Sequence, residues 1–170
     1  KPAFCLTRRA ALLGAVGMLA GCGFSPLYGD GGSAQGLRNA VALHAPETPD
    51  GYHLRQRLID RFGNADSASY DLDLTVQLTE VPLGIAADNT ATRVNITGAV
   101  TYTLRDLGGQ TITEGTVSSF TSYSSTSTTV ATRAAAQDAR TRLMTILADQ
   151  IVTRLLASVA ASGASHVVRS

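Results

Sequence analysis

Tyr70-Asp71-Leu72-Asp73-Leu74-Thr75-Val76-Gln77-Leu78-Thr79 is the stretch on which the fold turns. Tyr70, Leu72, Leu74, Val76 and Leu78 alternate with Asp71, Asp73, Thr75, Gln77 and Thr79. A strict period of two marks a strand with one face in a core and the other in water. Such a sheet needs apolar elements laid over its inner face, and these must come from elsewhere in the chain.

Downstream, Val81-Pro82-Leu83-Gly84 reads as the end of this strand and Ile85 to Thr92 as a loop. Val94, Ile96, Gly98, Val100, Tyr102 and Leu104 then alternate again, giving a second long amphipathic strand. Asp106-Leu107-Gly108-Gly109-Gln110 supplies hairpin chemistry. A third strand follows over Thr111 to Tyr123 with Ile112, Val117 and Phe120, and its weaker alternation points to a sheet edge. The Ser- and Thr-rich stretch Ser118 to Thr132 reads as strand followed by loop.

Two helices flank these strands. Upstream, Leu37 to His44 reads as a short strand closed by Pro46 and Pro49. Thr48-Pro49-Asp50 opens a helix whose Tyr52, Leu54, Leu58, Ile59 and Phe62 recur near the 3.6 period; Gly63 stops it, and Arg55, Arg57 and Arg61 take its wetter side. From Thr132 to about Ala160, Ala135, Ala139, Leu143, Leu147, Ile151 and Leu155 repeat every four residues, flanked by Ile146 and Val152. This helix is expected to cover the sheet, with Asp138 and Arg142 as an exposed i,i+4 pair. The class is therefore α+β: a two-layer sandwich, about four strands in a mostly antiparallel sheet with two helices on one face, in the order β-α-β-β-β-α.

The N-terminal region reads differently. Lys1, Arg8 and Arg9 precede an apolar run from Ala10 to Ala20 of about eleven residues, too short to span a bilayer, and Leu19-Ala20-Gly21-Cys22 follows. That pattern is a secretory signal ending in a bacterial lipobox, which predicts cleavage before Cys22 and diacylation of its sulfur. Two or three acyl chains anchor a protein where one holds it only marginally. The competing reading is a plain secreted protein with a buried free cysteine. Arg8-Arg9 after Thr7 leaves the Sec and twin-arginine routes both open. The expected organisation is a signal peptide over residues 1–21, a lipidated N-terminus and tether over 22–36, one sandwich domain over 37–161 and a flexible tail over 162–170.

Composition narrows the function. The sequence carries 14 basic and 13 acidic residues; without Lys1, Arg8 and Arg9, 11 cations face 13 carboxylates, a balance of −2. No basic footprint for nucleic acid remains. Lys1 is the only lysine, so lysine chemistry is excluded from the processed chain. With Cys5 in the signal and Cys22 acylated, no thiol pair is left for a disulfide or a thiolate metal site.

No catalytic signature emerges. His44, His53 and His166 are far apart and lack metal-ligand spacing. There is no Gly-x-Ser-x-Gly elbow, phosphate loop or dinucleotide fingerprint. Asp71 and Asp73 share a strand face, yet a solvated face explains them better than a carboxylate pair does. Asn95-Ile96-Thr97 fits a glycosylation acceptor but lies mid-strand in a chain with a bacterial lipobox. The informative surface is the outer sheet face: Asp71, Asp73, Thr75, Gln77, Asn95, Thr97, Thr101 and Thr103, polar but mostly uncharged. Arg93 enters the second long strand beside the preceding loop, where a guanidinium suits an anionic headgroup or phosphate.

Leu19-Ala20-Gly21-Cys22-Gly23-Phe24-Ser25-Pro26-Leu27-Tyr28-Gly29 resembles the start of the lipopolysaccharide-assembly outer-membrane lipoproteins of the LptE (RlpB) family. The element order of the chain is similar to that family's, and Ala134 to Ile151 resembles its last helix. The resemblance implies a non-catalytic protein without cofactor or metal, anchored through Cys22 to the outer membrane on the periplasmic side. It would plug the lumen of the LptD β-barrel, assist that barrel's assembly and help deliver lipopolysaccharide to the outer leaflet. Some family members are thought to engage lipopolysaccharide through basic residues at a strand end; Arg93 is the nearest counterpart. Two other readings are a lipid-anchored envelope binding module without a barrel partner, and a periplasmic hydrolase in which His44 or His53 meets a serine and a carboxylate in a cleft.

Overall fold

The stretch that begins at Tyr70 lies inside an open four-stranded sheet. The computed structural model describes residues 36–65, 67–85, 91–125 and 128–167. The elements are β1 (Val41–His44), α1 (Pro49–Phe62), β2 (Tyr70–Ile85), β3 (Ala91–Asp106), β4 (Thr111–Ser124) and α2 (Thr129–Val167). The sheet order is β1-β2-β3-β4, with β1 parallel to β2 and the other pairs antiparallel. The α+β class, the element order, the two helices and the edge position of β4 are thus as the sequence predicts. The signal peptide, Cys22 and the tether as far as residue 35 lie outside the described residues.

Several boundaries differ. The first strand begins at Val41 rather than Leu37, and Leu37 is instead a buried contributor to the core. β2 does not end at Val81-Pro82 but runs to Ile85, with Pro82 opposite Val94 on β3. β1 pairs only with Tyr70 to Asp73, so beyond that point β2 is an edge on its β1 side, where a strand tolerates proline. α2 starts at Thr129, before Thr132, and its backbone stays helical to Val167, inside the segment read as tail.

Local chemistry explains the helix ends and turns. Thr48 caps α1: its Oγ1 accepts from the Gly51 N–H at 3.1 Å, and Pro49 fills the first helical turn, where a missing N–H costs nothing. Gly63 ends α1 at φ 85°, its N–H donating to Ile59 O at 2.7 Å; a Cβ there would sit 1.9 Å from Asn39 Oδ1. In the β3–β4 turn, Asp106 Oδ1 accepts from Gln110 N–H at 2.9 Å, and Asp106 O from Gly109 N–H at 3.0 Å. Within α2, the hydroxyls of Thr141, Thr145 and Thr153 each donate to the carbonyl four residues back, so helix-interior threonines satisfy their own polar groups.

The core lies between the sheet and the two helices. Leu72 and Leu74 of β2, Ile96, Val100, Tyr102 and Leu104 of β3 and Val117 of β4 are buried against Leu54, Leu58 and Phe62 of α1 and Ala139, Leu143, Leu147, Ile151 and Leu155 of α2. Met144, Ala148, Val152 and Leu156 widen the buried stripe of α2, whereas Ile146, expected to flank it, is 39% exposed. At Gly98 the helix comes closest to the sheet: a Cβ there would lie 3.0 Å from methyls of Leu143, Leu147 and Leu78. At 1.5 Å per residue the 39-residue α2 is about 58 Å long, close to the ~53 Å of a 16-residue strand. α1, with 14 residues, covers less than half of that length. Thr129–Ala160 is apolar and long enough to cross a membrane, but 44% of the relevant window is buried within this fold, as a core helix requires.

Candidate functional site: the outer sheet face

Among the described residues no helix covers the other side of the sheet. Register fixes its rows: Asp71 stands between Ala42 and Arg105, Asp73 between His44 and Thr103, Thr75 beside Thr101, Gln77 beside Ala99, and Thr79 beside Thr97. On the far side of β3, Thr101 faces Thr116, Ala99 faces Ser118, Thr97 faces Phe120 and Asn95 faces Ser122. Thr75, Gln77, Thr79, Thr97, Thr101, Thr116 and Ser118 are all exposed. The polar face read from the alternation therefore exists as one continuous surface over three strands.

Its charges are gathered at the β1 end. His44 Nε2 lies 3.1 Å from Asp71 Oδ1, and Arg105 donates to Asp73. The two aspartates considered as a pair are thus matched separately, Asp71 with an imidazole and Asp73 with a guanidinium. His44 and Asp71 are exposed by 58% and 42%, and no serine hydroxyl bonds to the imidazole among the described residues, so the arrangement the hydrolase reading requires is not formed there. His53 stacks edge-on against Tyr52 at 5.9 Å on α1. The side chain of His166 lies outside the described residues. Among the described residues no group of three or more His, Cys, Asp or Glu is placed to hold a metal ion.

The opposite end of this face has a different character. Arg93 is exposed near the start of β3, between Leu83 and Ser124, and its guanidinium has no hydrogen-bond or ion-pair partner among the described residues. Beside it on β2, Val81 and Leu83 are each 45% exposed, and Phe120 on β4 is 69% exposed. The surface therefore grades from paired charges through hydroxyls to a guanidinium set among apolar side chains. Sequence reading grouped Ile112, Val117 and Phe120 as one apolar set, but parity separates them: Val117 enters the core while Ile112 and Phe120 are exposed. Counting in twos from Val117 would have revealed this.

The remaining ion pairs fasten the helices. Arg57 and Arg61, read as the wet side of α1, both reach Asp149 on α2, each through a contact of 3.0 Å. Partial burial pushes the Asp149 carboxyl up, but the hydrogen bonds and charges of the two arginines outweigh it and hold the group below the ordinary carboxylate range. Arg140 of α2 bridges Asp50 on α1 and Glu80 on β2. The expected Asp138–Arg142 pair is present at 3.3 Å on the exposed side of α2. Shallow grooves also occur, such as one of about 290 Å³ beside β1 lined by Leu43, His44, Arg55 and Ile59, and one on the open side of α2 lined by Ile146, Asp149, Gln150, Thr153 and Arg154.

The architecture agrees with what known proteins share with the chain. The family model for lipopolysaccharide assembly, LptE, matches residues 39–155, from just before β1 through most of α2. The chain belongs to the LptE family. A lipoprotein of Caulobacter crescentus is 28% identical with a TM-score of 0.65, the match covering 76% of this chain and 96% of that one. The minor lipoprotein of Acinetobacter baumannii (22% identity, TM-score 0.54, 70% and 91% covered) and rare lipoprotein B of Shewanella oneidensis (16%, 0.53, 74% and 97%) share the fold. None of the curated protein sequences matches the chain. Membership places the chain among lipopolysaccharide-assembly lipoproteins, as its N-terminal motif and element order predict.

Proposed function

We propose that this LptE-family chain is a non-catalytic, lipid-anchored partner of an LptD-type outer-membrane β-barrel, seated in the barrel lumen and assisting delivery of lipopolysaccharide to the outer leaflet. The observation that carries this reading is the outer sheet face, three strands wide and rich in uncharged hydroxyl and amide groups. The lumen of a large barrel is polar and wet, and a surface of threonines, serines and asparagine exchanges hydrogen bonds with such a wall without stranding a charge. The near-equal lengths of α2, β2 and β3 support the reading too, since an elongated body presents that face along its whole axis.

In this reading Cys22 carries the acyl chains and holds the domain at the periplasmic side of the outer membrane. Arg93, exposed beside Val81 and Leu83, meets an anionic group of lipopolysaccharide, its planar fork suited to phosphate and its neighbours to acyl chains. No cofactor or bound metal takes part.

The test is purification of the detergent-solubilised protein through a C-terminal tag, with mass spectrometry of whatever accompanies it in stoichiometric amount. Recovery of an LptD-type barrel near one to one is the expected result. Recovery without any barrel sinks the proposal and favours a free-standing envelope-binding module. Metabolic labelling with radioactive palmitate checks the anchor: label is expected on the native chain and lost in Cys22→Ser.

A further inference from the structure

The free edge of β1 lies in a walled groove. Tyr70, which stands beside Val41, donates its N–H to Ala40 O at 3.0 Å, so in this parallel ladder Ala40, Ala42 and His44 turn their backbone groups toward β2. The N–H and C=O groups of Val41 and Leu43 therefore point to the open side, with no partner there among the described residues. α1 overhangs this edge. Arg55 and Ile59, each one position beyond the core residues Leu54 and Leu58, line the groove of about 290 Å³ together with Leu43. A second hollow of about 360 Å³ follows the β1–α1 connection, and Arg55 borders both.

The charge of this wall is unspent. Arg57 and Arg61 on the same helix are both held by Asp149, whereas the exposed Arg55 guanidinium has no hydrogen-bond or ion-pair partner among the described residues. No carboxylate lines the groove beside β1: its ionisable groups are Arg55 and His44, and the imidazole is turned to Asp71. Glu47 borders only the second hollow and is exposed. The wall also has the spacing of a strand. Arg55 and Ile59 are one helical turn apart, about 6 Å, and side chains on one face of a strand recur about every 6.6 Å.

We infer that this groove takes an extended, acidic segment of a partner protein as a fifth strand, laid along β1 beneath α1. Backbone bonds to Val41 and Leu43 hold the segment, and two of its side chains select it. One is apolar and packs on Ile59; the other is a carboxylate that pairs with Arg55 in a charge-assisted contact. Because both meet the same helix face, they stand two positions apart in the segment, with the residue between them turned to the outer side of the sheet. β1 carries no proline, so its edge is open to such an addition. One segment per chain leaves a one-to-one complex intact. The contact uses the β1 edge and not the outer sheet face, and so stands independently of the barrel reading.

The test titrates the full chain, in dodecyl maltoside micelles, into a fluorescently labelled synthetic peptide, Thr-Glu-Thr-Val-Thr-Glu-Thr, whose symmetric sequence offers the carboxylate and the apolar residue at the required spacing in either chain direction. Fluorescence anisotropy is expected to show saturable binding. A peptide with lysine in place of glutamate is expected to bind at least about tenfold more weakly, and so is Glu-Thr-Thr-Val-Thr-Thr-Glu, which moves the carboxylates to the other strand face. Arg55→Ala, at an exposed position, is expected to weaken binding of the first peptide by about tenfold, and Arg55→Glu to reverse the preference toward the lysine peptide. Amide exchange at Leu43 is expected to slow when the peptide saturates the protein. Absence of binding overturns the inference, as does equal binding of the three peptides, binding unchanged by Arg55→Ala, or slowed exchange along β4 in place of β1.

Discussion

On the inner face of β2, Leu72 and Leu74 are buried beneath the helices; on the outer face of the same strand, Asp71, Asp73 and Thr75 meet solvent. One backbone serves both, and the difference between them is only the parity of the residue number. The inner face tolerates little, because every side chain is held by close packing against α1 and α2. The outer face is free of that constraint, and its chemistry can follow a partner. Substitutions on the two faces should therefore separate stability from binding.

The largest effect is expected at Leu147, fully buried at the approach of α2 to Gly98. Leu147→Ala leaves a cavity and should cost about 2–5 kcal/mol in urea unfolding. Gly98→Ala tests the same contact from the sheet side: its Cβ meets three leucine methyls, and a loss of about 1–3 kcal/mol is expected as the helix is pushed outward. A neutral result for either would mean that α2 rests on the sheet less tightly than the inner face implies.

Asp149→Asn comes next, removing the charge that Arg57 and Arg61 share. The site is partly solvated, so about 1 kcal/mol or less is expected. The pH dependence sharpens this. Asp149 has a lowered pKa in the folded state, so its contribution is complete above the ordinary carboxylate range and disappears as pH falls through the folded-state value. Acid unfolding curves of the native chain and Asp149→Asn should therefore converge at low pH. Smallest of all is Thr75→Ala on the outer face, expected to change stability by no more than about 0.5 kcal/mol. Its effect should appear instead in recovery of the barrel partner, and a large loss of stability would erase the distinction between the faces.

The core was legible because it is periodic. Alternation over Tyr70 to Thr79 and the four-residue repeat from Ala139 to Leu155 specify which side chains turn inward, and the helices lie where those patterns require. What the sequence hid was non-local or broke a local rule. Arg57 and Asp149 are 92 positions apart, and only the packing of α1 on α2 brings them together. Pro82 reads as a strand end, yet the strand passes through it because β1 is too short to pair with that part of β2. Arg93 was found as a residue type beside a loop, but its apolar setting needed Val81 and Leu83 to continue on the outer face of a longer strand. The N-terminal motif was the most specific part of the family resemblance, beside the element order and the last helix, and the match over residues 39–155 rests on a part of the chain that lies outside that motif.

β2, β3 and β4 follow one another in space as they do in sequence, joined by connections of only a few residues. In kinetic terms, each pairing of this meander closes a short loop, whereas β1 must cross over α1 to reach β2, and α1 must find α2 from the other end of the chain. Loop-closure entropy then favours a folding order in which the three long strands zip first and the β1–α1 unit docks last. Pulsed hydrogen exchange during refolding would show this as early protection from Tyr70 to Ser124; protection of α1 first would reverse the order.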